Sequence, residues 1–226
     1  KHLRRLVEQL QWSPPRSIWS EYAKEHSYED ADLRRKHDFV RSVLARRRWS
    51  LVWDIGCNTG TYSRLSAEHA EYVLALDGDQ LVLDRLYSEL KQEGCQHVLP
   101  LLVDMADPTP GLGWKGLERR QLGDRGRPDL ILVLAFMHHL IISRNIPLGE
   151  LVEWLAHFGA DLVVEFVELD DPMVKRLLRN RTGQKIDYSA EALELALKKH
   201  FGSVTQESLD SGNRTLYYAQ ARPNGG

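Results

Sequence analysis

A chain of 226 residues with 42% hydrophobic and 27% charged side chains has the composition of a folded globular protein with one substantial core. Its formal net charge of -2 removes any global attraction to phosphate backbones, so a nucleic-acid partner would need a local basic patch such as Arg46, Arg47 and Arg48. No apolar run is long enough to span a bilayer, and the basic start from Lys1 to Leu10 lacks the apolar centre of a signal peptide. Cys57 and Cys95 are too few for a disulfide framework and have no metal-ligand spacing, so a reducing, cytoplasmic setting is expected. The chain opens on Lys1 rather than a methionine, which leaves room for flanking domains in a longer protein.

Leu3, Leu6, Val7 and Leu10 recur at helical spacing until Ser13-Pro14-Pro15 breaks the pattern, predicting a short helix and a linker. From Ile18 to Arg48, Trp19, Tyr22, Leu33, Phe39, Val40, Val43 and Leu44 predict two helices, with a turn and helix start at Tyr28-Glu29-Asp30-Ala31. Residues 1–48 therefore read as a helical extension to a domain covering 49–226. Trp19, Tyr22, His26, Tyr28 and Lys36 give that extension the side chains of a lid over an acceptor, with plain packing of amphipathic helices as the competing explanation.

Five β-branched or aromatic runs follow, at 50–55, 72–76, 98–103, 129–134 and 161–167, separated by helical patterns near 63–69, 80–93 and 148–158. This alternation predicts an α/β fold with a mostly parallel sheet covered on both faces. Helices at 172–179 and 190–200 then precede two runs, 203–209 and 214–221, split by Asp210-Ser211-Gly212-Asn213. That tetrapeptide predicts a C-terminal antiparallel hairpin.

Asp54-Ile55-Gly56-Cys57-Asn58-Thr59-Gly60 falls where the first strand gives way to a helix, the place where an open parallel sheet presents its ligand crevice. Glycines there admit a ligand close to the backbone, but the spacing is not that of a dinucleotide pyrophosphate loop. Asp54 would repel a pyrophosphate and attract a cationic ligand end, such as one carrying an amino group and a sulfonium. Asp77 at the end of the second strand is placed to bind ribose hydroxyls, with Gly78 beside it. Asp104 after the third strand is placed to accept from an adenine amino group, while the Met105 thioether packs on the ring.

The strand-Asp54-x-Gly56-x-Asn58-x-Gly60 loop, Asp77 and Asp104-Met105 resemble the successive binding motifs of class I methyltransferases that use S-adenosylmethionine (SAM). The resemblance runs from about Val52 to the terminal hairpin and implies a Rossmann-like fold. It also implies that the glycine loop wraps the methionine end of SAM, the second acid binds ribose and the third contacts adenine. Gly56, Cys57, Asn58, Gly60, Tyr62, Gly78 and Ala135 complete the expected cofactor site. A narrower similarity, to bacterial NoeA-like methyltransferases, lies in Asp54 through Ser63, Gly113-Trp114 with Glu118-Arg119, Leu134 through Leu140, Glu165-Phe166-Val167 and Asp171-Pro172-Met173.

Methyl transfer is an in-line displacement in which the protein positions the nucleophile and, for some acceptors, removes its proton. His138 and His139, at the carboxyl end of the fourth strand, and Glu165, at the end of the fifth, are the candidate bases. Adjacent residues diverge, so one imidazole is expected to face the crevice and the other to serve the structure. The three groups have donor types that suit a divalent metal, but no close ligand spacing supports one and none is expected. Trp114 and Arg119, in the long segment 108–128, are expected to border the acceptor pocket, and Asp170, Asp171 and Met173 to form another wall or simply a helix start.

The expected reaction is methylation of an oxygen or nitrogen on a small molecule or glycan. An RNA or protein acceptor, or a SAM-binding module without chemistry, are the alternatives. The sequence carries no mark of oligomeric state.

Overall fold

The computed structural model of the chain describes residues 2–9, 30–179 and 187–223. Its strands are β1 (Trp49–Ile55), β2 (Ala70–Asp77), β3 (Val98–Leu102), β4 (Leu130–Val133), β5 (Asp161–Val167), β6 (Ser203–Ser208) and β7 (Arg214–Gln220). They form one sheet in the order β3-β2-β1-β4-β5-β7-β6. Strands β1 to β5 pair in parallel, and β7 runs antiparallel to both β5 and β6. The described helices are α1 (His2–Gln9), α2 (Asp30–Leu44), α3 (Thr61–Ala67), α4 (Gln80–Glu93), α5 (Leu148–His157), α6 (Pro172–Leu178) and α7 (Ala190–His200).

The two cores follow from the pleat. Val52, Val73, Ala75, Leu130 and Leu132 point to one face and pack under α2, α3 and α4. Trp53, Ile55, Leu76, Ile131, Val133 and Val164 point to the other and pack under α5 and α7. Strands buried on both faces cannot be joined by hairpins in parallel, so helices must carry the chain back. The expected order of strands, crossover helices and terminal hairpin is the one observed.

Helix ends are set by local chemistry. Asp79 caps α4 by accepting from the backbone N–H groups of Leu81 and Val82, and Gly94 closes that helix in the left-handed region. Asp171 caps α6 through the Met173 N–H, and Ser189 caps α7 through that of Ala192. The Asp171 cap is the helix-start reading of that residue.

Helix α2 is part of the core rather than a detachable cover. Val40, Val43 and Leu44 are buried against Trp49 and the sheet. The expected lid residues Trp19, Tyr22, His26 and Tyr28, and the first helix expected after Ile18, lie outside the described residues. The arginine cluster ending this region covers its own structure: Arg46 lies 4.3 Å from the Tyr218 ring centroid and Arg47 4.0 Å from that of Trp49. Arg48 donates to the Glu68 carbonyl at 3.1 Å. Among the described residues no helix is long and apolar enough to cross a membrane.

Leu44 is 0% exposed and Leu195 is 73% exposed. Leu44→Ala is expected to lower unfolding free energy by about 2–5 kcal/mol, and Leu195→Ala to change it by less than about 0.5 kcal/mol. Urea denaturation followed by circular dichroism checks both.

Candidate functional site

Parallel register brings the carboxyl ends of the central strands to one edge. Asp54 pairs with Ala75 of β2 and Leu132 of β4, and Asp77 with Leu102 of β3. The connections leaving this edge line a cavity of about 1090 Å³. That is slightly above the roughly 300–1,000 Å³ typical of ligand pockets.

The loop after β1 is tied down before it reaches the cavity. The N–H groups of Gly56 and Cys57 both donate to the Leu76 carbonyl, at 2.8 and 3.1 Å. Gly56 has φ of 76°, and a Cβ there would lie 2.6 Å from the Phe136 ring, so the residue must be glycine on both counts. Gly60 has φ of 79° and is not itself among the cavity-lining residues; a Cβ there would meet Leu86 of α4 at 2.5 Å. Arg64 holds the loop from below, donating to the Thr59 carbonyl and to Glu89 and Glu93 of α4.

Asp77 is the junction of two connections. One carboxylate oxygen accepts from the Asn58 N–H and the other from the Asp79 N–H, both at 2.9 Å. Burial raises its pKa, against the pull of those backbone N–H groups. The Asn58 side-chain oxygen is buried with no hydrogen-bond partner among the described residues, and it belongs to the cavity wall. Farther along, Asp104 accepts from the Ala106 N–H at 2.9 Å and pairs with Arg144, while Met105 is buried beside it.

Asp54 lies deeper. It accepts from the Ser63 hydroxyl at 2.6 Å, and burial pushes its carboxyl from an ordinary 3.8 up to about 6. The Ser63 hydrogen bond opposes the rise, Asp77 adds to it, and Lys36 lowers it. A positive ligand end beside these two acids would restore the ionised form.

Glu165 does not line the cavity. It is fully buried and paired with Lys36 Nζ at 2.7 Å and with Arg214 Nη1 at 3.1 Å; Arg214 Nη2 reaches Asp171 at 2.8 Å. A carboxylate inside an apolar strand needs cations, and it has two. This arrangement corrects the expectation that Glu165 acts as a base, since its oxygens face bound cations rather than an acceptor. It also removes Glu165 from the metal donor set considered with the two histidines; among the described residues no three His, Cys, Asp or Glu side chains converge on a metal position. Lys36, expected in a lid, is instead a buried cation that lines the cavity and lies 5.1 Å from the Tyr62 ring centroid.

The chain leaves β4 through Ala135, whose φ of 50° turns Phe136 onto Gly56. The helical segment that follows contains a π-helical turn over His139–Ser143, a rare form that is frequent at functional sites. His139 lines the cavity, while His138 is turned into the core with its ring 4.2 Å from that of His139. Both His138 ring nitrogens lack hydrogen-bond partners among the described residues. Burial holds the His139 pKa down to about 4 and drives that of His138 well below its ordinary value, so both rings are neutral at pH 7.

Asp54, Gly56, Cys57, Asn58, Tyr62, Asp77, Gly78, Asp104, Met105 and Ala135 thus converge on one cavity with His139 and Lys36. Trp114 and Arg119 do not. Trp114 is 76% exposed, and Arg119 exchanges backbone hydrogen bonds with Leu112 in a surface turn that does not line the cavity. Asp79 and Arg144 line the cavity without having been expected there. An acid directly before a helical run is a readable cap signal for Asp79. Arg144 carries no such signal, because its approach to Asp104 depends on the irregular turn before it. Gly94 also has a positive φ but nothing within 4 Å of an added Cβ. Gly94→Ala is expected to cost about 1–2 kcal/mol from backbone strain alone, and Gly56→Ala distinctly more because Phe136 must also move. Paired thermal melts of the two variants measure the difference.

No family model matches the chain. It is 34% identical over 202 residues to nodulation protein NoeA of Rhizobium meliloti (strain 1021), an alignment covering 89% of this chain and 42% of that protein. The chain therefore spans about two fifths of the length of that relative. Among solved structures, the N-methyltransferase NodS from Bradyrhizobium japonicum WM9 in complex with S-adenosyl-L-homocysteine superposes with a TM-score of 0.61 at 15% identity, covering 92% of this chain and 100% of that one. Magnesium protoporphyrin IX methyltransferase from Synechocystis PCC 6803 with the same molecule bound superposes at 0.57 and 16% identity, over 90% and 92%. The chain is similar to NoeA over most of its own length and has the Rossmann-like fold of these solved methyltransferases.

Proposed function

We propose that the chain binds SAM and transfers its methyl group to an oxygen or nitrogen on a small molecule or glycan. The observation that carries this reading is the acidic edge of the cavity, where Asp54, Asp77 and Asp104 succeed one another at the ends of β1, β2 and β3 around the Gly56 loop. The sequence similarity to NoeA and the solved methyltransferases of the same fold support it.

The residues present fit such a ligand. Asp77, fixed by two backbone N–H groups, would accept from ribose hydroxyls. Asp104 and Met105 would border adenine, and Asp54 with the Asn58 oxygen, which has no hydrogen-bond partner among the described residues, would meet the charged methionine end. When bound, SAM supplies an activated methyl group on a sulfonium. The chain's own residues exclude water, hold the acceptor in line and, for a hydroxyl, offer the neutral His139 ring as a proton acceptor. The engagement of Arg46, Arg47 and Arg48 with Tyr218, Trp49 and Glu68 weighs against an RNA acceptor held by that cluster.

Incubation with methyl-labelled SAM and fractionated bacterial metabolites, read by mass spectrometry, tests the reaction. A labelled product is expected; SAM binding without any labelled product would instead favour a silent binding module. Asp77→Ala is expected to weaken SAM binding by about 1–3 kcal/mol through loss of charge-assisted hydrogen bonds, measured by isothermal titration calorimetry.

Affinity should also depend on pH through Asp54. Its folded pKa is raised to about 6, so the empty fold loses stability as pH rises from 3.8 through about 6 and the buried carboxyl ionises. A cationic ligand favours the ionised form, so SAM affinity should fall as pH drops below about 6. The dependence should flatten in Asp54→Asn. Titration calorimetry between pH 5 and 8, each value checked for a folded protein, reads the slope.

A further inference from the structure

The part of the cavity wall that helix α2 supplies differs in charge character from the acidic strand ends, and its Lys36 lies close enough to Asp54 for their charges to interact. Helix α2 brings Arg34, Lys36 and His37 to it, with Asp38 as its acidic contribution. Lys36 is the deepest of these, its side chain 5% exposed, and it is not free to swing. Glu165 holds it at 2.7 Å, Arg214 holds Glu165, and Asp171 holds Arg214, which closes a formally neutral quartet anchored on α2, β5, β7 and the α6 cap. His139 lines the same cavity from the segment after β4, and His138 behind it feels the charges of both Lys36 and Arg214.

A fixed buried cation discriminates between acceptors by the charge that changes during transfer. An oxyanion attacking a sulfonium methyl group ends neutral, and its starting charge is stabilised by a neighbouring ammonium. An amine must bind without its extra proton and then becomes a cation as it is methylated, beside a like charge in a poorly solvated wall. The two acceptor classes therefore differ in sign at the position Lys36 controls.

We propose that the acceptor is an oxygen acid, a carboxylate or an acidic hydroxyl, docked with its reacting oxygen between Lys36 and His139; this rests on the methyl-transfer reading above. The O–CH3 bond forms as the CH3–S bond breaks, and the electron pair of that bond stays on sulfur. A carboxylate gives up no proton, and an acidic hydroxyl docks as its oxyanion, having released its proton to water on binding beside Lys36. Lys36 acts here as an acceptor-binding residue, and Glu165, Arg214 and Asp171 as its positioning residues.

The test uses the protein saturated with S-adenosylhomocysteine, confirmed by calorimetry for each variant, and saturation-transfer NMR with benzoate, phenol and benzylamine as probes. Benzoate or phenol is expected to bind and benzylamine not to, and the response of the first two tells carboxylate from hydroxyl. Binding should weaken about tenfold in Lys36→Met and recover in Lys36→Arg. Because Lys36→Met leaves Glu165 short of a partner, the double variant Lys36→Met/Glu165→Gln serves as a second form without the unbalanced charge, and the same loss is expected in it. Benzylamine binding as well as the oxygen acids, failure of both oxygen acids to bind, or undiminished binding in the double variant would overturn the proposal while leaving cofactor binding intact. Absence of S-adenosylhomocysteine binding in the unmodified protein would remove the methyl-transfer reading and this inference with it.

Discussion

Both carboxylate oxygens of Asp77 accept backbone N–H groups, one from Asn58 in the loop after β1 and one from Asp79 where α4 begins. Two connections that leave neighbouring strands are thereby held in a fixed relation, and the floor of the cavity lies between them. The Gly56 and Cys57 N–H groups reinforce the clasp by donating to Leu76, the residue just before Asp77. An acid in this position keeps lone pairs that a ligand's hydroxyl groups can use, because a carboxylate accepts more than one hydrogen bond on each oxygen. The acid that makes the loop rigid also lines the cavity.

The second constraint is the quartet of Lys36, Glu165, Arg214 and Asp171, which spans elements far apart in the sequence. It explains why the antiparallel hairpin matters to a site built on the parallel half of the sheet. Arg214 opens β7, pairs across from Val167 of β5, and reaches back to Glu165 and Asp171. Apolar side chains of matching volume would hold such a core as well as a buried ionic network does. What the network adds is a cation fixed in the wall of the cavity.

Much of this was legible in the sequence, for reasons that particular residues make plain. Short β-branched and aromatic runs, buried almost throughout, mark Asp161–Val167 and Arg214–Gln220, and the cap acid and closing glycine mark Gln80–Glu93. The acids at strand ends could be placed because register in a parallel sheet follows from where each strand stops. Glu165 shows the limit. Its burial among apolar neighbours demanded a cation, yet both partners come from distant elements, Lys36 on α2 and Arg214 on β7, so no local spacing could name them. Trp114 and Arg119 show another: the length of the segment between β3 and β4 marks it as unusual, but carries no information on which way it turns. Gly60, read as part of the ligand loop, also packs against Leu86, a contact that only the path of α4 decides.

A crystal structure of the chain with S-adenosylhomocysteine tests the central claim most directly. The ribose hydroxyls are expected on the Asp77 carboxylate, adenine beside Asp104 and Met105, and the homocysteine end over the Gly56 loop near Asp54. A nucleoside bound elsewhere, or crystals that take up none at saturating concentration, would contradict it.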